Sequence, residues 1–262
     1  MSQTEYVFQS AEDLSELDRL RAIEAVFDPA TRRHIQSTGF THGWQCLEVG
    51  AGAGSVASWI ASVSGPSGQT TAIDINTRFL NGLSSGVRVI AGDICTTTLE
   101  PESFDLVHTR YVLIHLPNFA VAIEKMMACL RPGGWLVLEE PDFSQAQAIS
   151  GDEQGVQSVT NVNRAILQMF ASKGMDHSLG ARLPALLQAA GLRNIRVEND
   201  APISRGAEGV AEMMKMSARQ LRTKYVSTGE ATEQDVENYC TFAGNRASWA
   251  IYYATVGVLG QK

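Results

Sequence analysis

Three glycines at alternate positions early in the chain mark a backbone that can approach a ligand closely. Residues 47–54 read Leu-Glu-Val-Gly-Ala-Gly-Ala-Gly. Glycine permits the tight turn and the close backbone contact that a ligand-binding loop after a strand requires. The spacing departs from the dinucleotide pattern Gly-x-Gly-x-x-Gly, because Ser55 stands where that pattern has its third glycine. The motif predicts a ligand-binding loop of another type, although a tight turn without a ligand is the alternative.

The acid within this motif indicates the charge of the ligand. Glu48 lies two residues before Gly50. A carboxylate beside a pyrophosphate would be repelled, whereas beside an amine or a cation it is attracted. We therefore expect a ligand that carries an amino group or a positive charge and no phosphate. A purely structural role for Glu48 is the alternative.

Two further acids follow the next predicted strands. Asp74 lies 24 residues after Gly50, at the end of a predicted strand over 70–73, and could accept both hydrogen bonds from a ribose diol. Asp93 follows Gly92 after a predicted strand over 87–91, and could accept a hydrogen bond from an exocyclic amine such as N6 of adenine. An amine, a ribose diol and adenine together describe S-adenosylmethionine (SAM). Each aspartate could instead cap a helix or a turn.

Short apolar runs that alternate with amphipathic stretches predict the elements that must position these residues. The predicted strands cover 46–49, 70–73, 87–91, 104–107, 135–139, 194–198 and 249–258. Strands that alternate with helices imply an α/β fold, a doubly wound sheet of seven strands with helices on both faces. In such sheets ligands bind outside the carboxyl ends of the strands, where the glycine loop and both aspartates would meet.

Helical segments outside this alternation predict a lid. Apolar residues at helical spacing predict a helix from Leu14 to Phe27 that ends at Asp28-Pro29, and a second helix over 30–37. Segment 142–180 predicts one helix, over 156–172, and no strand. We divide the chain into an N-terminal helical lid (1–40), a SAM-binding α/β core (41–141), an inserted helical cap (142–180) and the C-terminal half of the core with further cap helices (181–262).

Five motifs in this order resemble class I SAM-dependent methyltransferases. They are residues 47–54, Ile73-Asp-Ile75, Ala91-Gly-Asp-Ile94, Phe104-Asp-Leu-Val107 and Leu130-Arg-Pro-Gly-Gly-Trp-Leu-Val137. The resemblance covers about residues 40–200 and points to the small-molecule branch, with its ubiquinone/menaquinone-type and natural-product enzymes. It implies a Rossmann-like methyltransferase fold, in which the seven-stranded sheet is mostly parallel and the last strand is antiparallel.

The resemblance also implies a set of cofactor-binding residues and the product S-adenosyl-L-homocysteine (SAH). Gly50, Ala51, Gly52 and Gly54 would line the methionyl part of SAM, and Glu48 would orient this loop or reach the amino group through water. The further implied contacts are Asp74 to the ribose, Ile75 or Asn76 beside the adenine, Asp93 and Ile94 to the adenine, Thr109 and Arg110 to the methionine moiety, and Tyr6 in an N-terminal segment that folds over the cofactor. Arg110 could instead pair with a surface acid.

Composition and charge argue against several classes of partner. The 262 residues carry a net charge of −7 and no dense basic run, so we do not expect nucleic acid as a partner. The longest nearly apolar stretch, 249–260, is too short for a membrane span, and the N-terminus is too polar for a signal peptide. The four cysteines show neither metal-site nor disulfide spacing. We expect a cytoplasmic protein that holds no metal, acts on a small-molecule acceptor and is compatible with a homodimer.

The predicted function is SAM-dependent transfer of a methyl group to O, C or N of a small, largely apolar metabolite of secondary metabolism. Alignment and exclusion of water are the main requirements of this reaction, so a base is optional. His115, after the fourth predicted strand, could be that base or could only fix its loop. His177 is a second candidate, and His34, His42 and His108 are weaker ones. The alternatives are a SAM-binding protein that catalyses a non-methylating cyclisation or rearrangement, and an NAD-dependent oxidoreductase.

Overall fold

The computed structural model describes residues 8, 13–83 and 86–262. Its strands are β1 (Gln45–Val49), β2 (Gln69–Asp74), β3 (Val87–Ala91), β4 (Phe104–Arg110), β5 (Leu130–Asp142), β6 (Gln147–Ser150), β7 (Arg193–Asp200), β8 (Ser204–Arg205), β9 (Trp249–Ile251) and β10 (Ala254–Gln261). Its α-helices are α1 (Asp13–Ser37), α2 (Ser55–Ser64), α3 (Phe119–Cys129), α4 (Glu153–Ser172), α5 (Leu179–Ala189), α6 (Gly209–Gln220), α7 (Arg222–Ser227) and α8 (Glu233–Gly244). Among these described residues, no helix combines the length and the apolar character needed to cross a membrane.

Seven strands form one sheet in the order β3-β2-β1-β4-β5-β10-β7. Parallel pairing joins β1 to β2 and β4, β2 to β3, and β4 to β5. Gly133 donates to the Lys262 carbonyl and Lys262 donates to the Gly134 carbonyl, both at 2.9 Å. The end of β10 therefore lies beside the start of β5, so β10 runs antiparallel to it. The predicted doubly wound, mostly parallel sheet of seven strands is confirmed.

One face of this sheet is covered by the second half of α1 and by α2. The cluster that fills this layer includes Ile35 of α1, Cys46 of β1, Leu106 of β4, Val137 of β5 and Ile60 of α2, all fully buried. Strands that are buried on both faces usually consist of almost continuous apolar residues, but β1 contains Glu48 and β4 contains His108 and Thr109, all buried. A polar side chain in this layer therefore needs a partner within it.

The chain forms two compact units. One contains Phe27–Glu140, Gly180–Glu198 and Val256–Lys262 and holds nearly all of the large sheet; we call it the sheet unit. The other, the helical unit, is formed by the remaining described residues. It holds α4, α6, α7, α8 and a three-stranded sheet in the order β6-β9-β8. Within it, Thr232 and Asp235 form a reciprocal capping box at the start of α8.

The predicted break at Asp28-Pro29 is wrong, because α1 continues through Pro29 to Ser37. Proline removes one N–H group from the helical ladder and strains the preceding turn. Side-chain contacts of the sheet unit hold the neighbouring turns in place. Asp28 accepts a hydrogen bond from Arg110 at 2.9 Å, and Thr31 donates one to Glu139 at 2.5 Å. Tertiary contacts thus override the local signal of the proline.

Two other predicted boundaries need correction. Segment 142–180 contains a strand, β6, and residues 249–258 form parts of two strands, β9 and β10, that belong to different sheets. In the small sheet β9 pairs antiparallel with both β6 and β8. These partners are far apart in sequence, so their pairing leaves no local pattern that distinguishes a strand from a loop.

Candidate functional site

The glycine loop leaves β1 with a backbone and a packing that leave no room for a side chain at Gly50 or Gly54. Gly50 has a φ of 73°, and a Cβ on it would lie 2.1 Å from Cγ2 of Val112. Gly54 has a φ of 91°, and a Cβ on it would lie 2.7 Å from Cδ2 of Leu83. Both conformation and space therefore require glycine at these positions. The loop is as tight as the sequence predicted.

Asp74, the last residue of β2, holds the glycine loop through its carboxylate. Its Oδ2 accepts a hydrogen bond from the N–H of Gly52 at 2.9 Å, and its Oδ1 accepts one from the N–H of Asn76 at 2.8 Å. The Gly50 N–H donates to the Ile73 carbonyl at 2.8 Å. A carboxylate can accept more hydrogen bonds than these two, and Asp74 is partly exposed. The loop and the acid therefore form one connected surface.

Asp93 extends this surface to the end of β3. The N–H of Gly92 donates to the Asp74 carbonyl at 2.9 Å, which ties the two strand ends together. Oδ1 of Asp93 accepts a hydrogen bond from the N–H of Cys95 at 2.8 Å. The turn-capping alternative thus describes part of the role of Asp93, which is half-buried.

The residues beside the two aspartates differ in exposure. Ile75 is 57% exposed, and Asn76 is also exposed. The Asn76 side chain accepts a hydrogen bond from the N–H of Arg78 at 3.3 Å, so the capping role considered for Asp74 belongs in part to Asn76. Ile94 is 4% exposed, and its side chain therefore packs inside the protein.

The Glu48 carboxylate is buried and bonded to a histidine. Glu48 and His108 are direct neighbours across β1 and β4, and Glu48 Oε2 lies 2.6 Å from His108 Nδ1. Glu48 is 3% exposed. This geometry favours the structural alternative for Glu48 over a contact with an amine of a ligand.

Thr109 and Arg110 lie on opposite faces of β4, because successive side chains of a strand alternate. Thr109 is fully buried and its hydroxyl donates to the Val49 carbonyl at 3.0 Å. Arg110 donates to Asp28 at 2.9 Å and to Thr31 at 2.7 Å. Arg110 thus pairs with an acid, as the alternative interpretation held, but the acid is buried.

Glu139 of β5 is the centre of a polar cluster that the sequence interpretation missed. Its Oε1 lies 2.5 Å from His34 Nδ1, and its Oε2 lies 2.5 Å from Thr31 Oγ1 and 3.1 Å from His108 Nε2. We call the connected set the buried charge network; it comprises Asp28, Thr31, His34, Glu48, His108, Arg110 and Glu139. The signal that could have revealed it is the pair His108 and Arg110, two polar residues at period two on one face of a buried strand.

Opposite charges keep His108 and Glu139 ionised in spite of their burial, whereas burial raises the pKa of Glu48. Burial lowers the pKa of His108, but the carboxylates of Glu48 and Glu139 raise it by more. The net effect is a pKa of about 9. Burial raises the pKa of Glu139, but the bonds to His108 and His34 hold it well below its usual range. His108 is therefore protonated at neutral pH and acts as a counter-ion, which removes it as a candidate base.

The segment after β4 lies against the glycine loop. Tyr111 has a φ of 58°, a conformation that is uncommon for a residue with a side chain and typical of functional or strained sites. The side chain of Val112 occupies the space beside Gly50. A single 3₁₀ turn, Leu113–His115, follows, so the half-buried His115 lies within this segment.

The structure thus brings together some of the predicted cofactor-binding residues. The glycine loop with Ala51, Asp74 and Asp93 share the carboxyl edge of β1, β2 and β3, while Ile75 and Asn76 are exposed there. Glu48, Thr109 and Arg110 have buried side chains with partners inside the protein. Tyr6 lies outside the described residues.

Comparison with known proteins supplies the family of this site. The family described as a methyltransferase domain matches residues 47–138, from the glycine loop into β5. This match agrees with the class I methyltransferase motifs found in the sequence. The strands that contribute Gly52, Asp74 and Asp93 all lie within the matched part of the domain.

Two proteins related to this methyltransferase domain and one solved structure illustrate the similarity. Methyltransferase str3 of Strobilurus tenacellus is 30% identical over 145 residues, 55% of this chain and 51% of that protein. Demethylmenaquinone methyltransferase of Staphylococcus aureus is 28% identical over 130 residues, 45% of this chain and 54% of that protein. The chain thus spans about half the length of these relatives.

The solved structure shows the same fold around the methyltransferase domain. It is Haemonchus contortus phosphoethanolamine N-methyltransferase 2 in complex with phosphomonomethylethanolamine and S-adenosylhomocysteine. The similarity covers 100% of this chain and 60% of that chain, with a TM-score of 0.62 and 14% sequence identity. Together, the family match over residues 47–138, the related methyltransferases and this shared fold confirm the resemblance to class I SAM-dependent methyltransferases.

Proposed function

We propose that the methyltransferase domain binds SAM at the carboxyl edge of β1, β2 and β3 and transfers its methyl group to O, C or N of a small, largely apolar metabolite. The observation that carries this proposal is the bonded edge in which the Gly52 N–H meets the Asp74 carboxylate and the Gly92 N–H meets the Asp74 carbonyl. A loop of glycines and alanines beside a partly exposed acid fits a ligand with a slender amino-acid chain and a ribose diol.

The accessible groups suggest how the cofactor would lie. The glycine loop would contact the methionyl chain, Asp74 the ribose hydroxyls and Asp93 the adenine amine, with Ile75 or Asn76 flanking the adenine ring. Ile94 would contribute through its backbone. We propose that Glu48, Thr109 and Arg110 act indirectly, because their side chains fix the ends of β1 and β4 from inside the sheet unit.

SAM supplies a methyl group on a cationic sulfur, which is already activated for displacement. The chain would therefore contribute chiefly orientation and exclusion of water, which supply several kcal/mol in well-aligned reactions. The segment that follows β4, residues 111–115 (the post-β4 segment), lies beside the glycine loop and would face the reacting groups. No residue need take a proton unless the acceptor is an alcohol, a phenol or a protonated amine.

The helical unit is the proposed acceptor-binding part. Most of its Met and aromatic residues are buried, as ordinary core residues are; Phe170 is 5% and Tyr225 2% exposed. Phe143 is half-buried, and its ring packs at centroid distances of 5.7 Å from Phe170 and 5.2 Å from Tyr253. A half-buried aromatic side chain such as Phe143 fits contact with an apolar acceptor better than with a charged one. The small-molecule substrate named for the demethylmenaquinone methyltransferase supports this class.

The proposal is tested by incubating the purified protein and methyl-labelled SAM with an extract of the producing cells, then separating organic-soluble from precipitable material. We expect label in the organic-soluble fraction, with release of SAH. Label in the precipitate would contradict the small-molecule class. SAH binding without label in either fraction would favour the non-methylating alternative, and binding of NADH but not of SAM would favour the oxidoreductase.

Replacing His115 with asparagine tests whether His115 acts as the optional base. For an acceptor whose proton must leave, we expect kcat to fall by about 100-fold or more. The matched control is His42→Asn, because His42 lies on the surface and bonds only Ser67 among the described contacts, at 3.0 Å. A kcat in His115→Asn equal to that of the control would leave His115 the structural role of fixing its loop.

A further inference from the structure

A fully buried carboxylate next to the charge network has a different set of partners. Glu140 is 0% exposed. Its Oε1 accepts hydrogen bonds from the N–H groups of Val112 at 3.0 Å and Leu113 at 2.8 Å, and its Oε2 accepts one from Ile114 at 3.1 Å. Three successive backbone donors thus converge on one side chain, which is the arrangement that stabilises an anion at the start of a helical turn.

These bonds determine where the segment after β4 lies. The preceding residue, Tyr111, has a left-handed backbone, which turns the chain sharply out of β4. Without a partner, three buried N–H groups would each carry the penalty of an unmade hydrogen bond. Glu140 therefore fixes the direction in which the chain leaves the turn at Tyr111.

The side chain of Val112 connects Glu140 to the glycine loop. Val112 is bonded to Glu140 by its N–H, and its Cγ2 fills the space that a Cβ on Gly50 would occupy, 2.1 Å from that position. A shift of Val112 would therefore either open a gap beside Gly50 or push the loop aside. Glu140, Val112 and the glycine loop form a continuous path within the sheet unit.

We propose that Glu140 is a positioning residue that sets the conformation of the glycine loop through the backbone of the post-β4 segment and the side chain of Val112. It acts through other residues and does not contact the cofactor. Its charge matters as well as its shape, because a neutral amide could accept on one oxygen only and would present its NH₂ group to the N–H of Ile114. The expected effects on SAH binding rest on the proposed function, whereas those on the unliganded loop do not.

The direct test is hydrogen exchange of the unliganded protein at pH 8, since burial raises the pKa of Glu140 to about 7 and the carboxylate is ionised there. In Glu140→Gln we expect exchange to accelerate about tenfold or more at residues 112–114 and also at residues 50–54. The matched control is Asp105→Asn. Asp105 lies at the opposite end of β4, where it accepts a hydrogen bond from the N–H of Gln45 at 2.7 Å. Loss of its charge should therefore leave hydrogen exchange unchanged at residues 50–54 and 112–114.

A second variant keeps the test decisive if Glu140→Gln is unstable. Val112→Ala removes the contact with Gly50 but keeps the three bonds to Glu140. We expect faster exchange at residues 50–54 and unchanged exchange at residues 113 and 114. Unchanged exchange at 50–54 in either variant would overturn the inference.

SAH affinity, measured by titration calorimetry at pH 8, adds a coupling test. We expect Glu140→Gln to raise the Kd about tenfold, and Glu140→Gln/Val112→Ala to bind within about twofold of that single variant, because both changes act along one path. Independent effects, in which the two fold-changes multiply, would overturn the path through Val112. Absence of SAH binding by the unmodified protein would reject the proposed function, and the exchange results would still decide the role of Glu140.

Discussion

Replacing Glu139 with glutamine is expected to lower the free energy of unfolding by about 3–5 kcal/mol, the usual effect of removing one partner from a buried ion pair. Glu139 bonds Thr31, His34 and His108, and all three partners are buried. The glutamine has nearly the same shape but no charge. It would leave His34 and His108 with less compensation for their burial, and its amide NH₂ group would face donors.

The thermal midpoint of unfolding should therefore fall by on the order of 10 °C. The control is Glu237→Gln, because Glu237 forms a comparable ion pair with Arg222 at 2.6 Å but is exposed at the surface. We expect that control to change stability by less than about 1 kcal/mol. A Glu139→Gln variant as stable as the control would show that burial of the network, and not its charge balance, holds α1 on the sheet.

The pH dependence of stability supplies a second readout. Because the pKa of Glu139 is depressed, its contribution is present above the ordinary pKa of a glutamate and is lost as pH falls. Because the pKa of His108 is raised to about 9, its contribution is complete below about pH 6.5 and is lost as pH rises through 9. The unmodified protein should thus lose stability between pH 6.5 and about 9, and Glu139→Gln should lose less over that interval. An equal loss in both proteins would contradict the role of His108 as a counter-ion of Glu139.

Replacing Asp74 with alanine is expected to raise the Kd for SAH at least about tenfold, and up to about 100-fold, by the loss of charge-assisted hydrogen bonds. Two losses combine in this variant. The ribose hydroxyls would lose their proposed acceptor, and the loop would lose the bonds that Asp74 accepts from Gly52 and Asn76. Titration calorimetry with SAH measures the effect directly.

The two losses can be separated with a second variant. Asp74→Asn keeps one side-chain oxygen, which can accept a hydrogen bond from the Asn76 N–H. We therefore expect its Kd for SAH to lie between that of Asp74→Ala and that of the unmodified protein. Asp105→Asn, at the amino end of β4, should bind SAH normally. If Asp74→Ala lowers the melting temperature but binds SAH normally, Asp74 only closes the turn, and the assignment of the ribose to it fails.

The sequence by itself determined the sheet and the edge that carries the candidate site. Gly50, Asp74 and Asp93 each follow one of three strands that run in the same direction, and parallel pairing brings such strand ends to one edge whatever the other contacts are. The glycine requirement at Gly50 and Gly54 was also readable, because it depends on the local backbone as much as on the neighbours. The family resemblance was correct for the same reason, since its motifs are these strand ends.

Only the tertiary structure decided which side chains face that edge and which face the interior. Glu48, Thr109 and Arg110 lie close to the edge in sequence, but the register of β1 and β4 and the packing of α1 give their side chains buried partners. Pro29 failed to end α1, since the network holds the turns around it, and β6 was missed because its partner β9 is distant in the chain. Short-range sequence patterns indicate where a strand ends. Whether a polar side chain is buried, and what it bonds, depends on residues that only folding brings within hydrogen-bond distance.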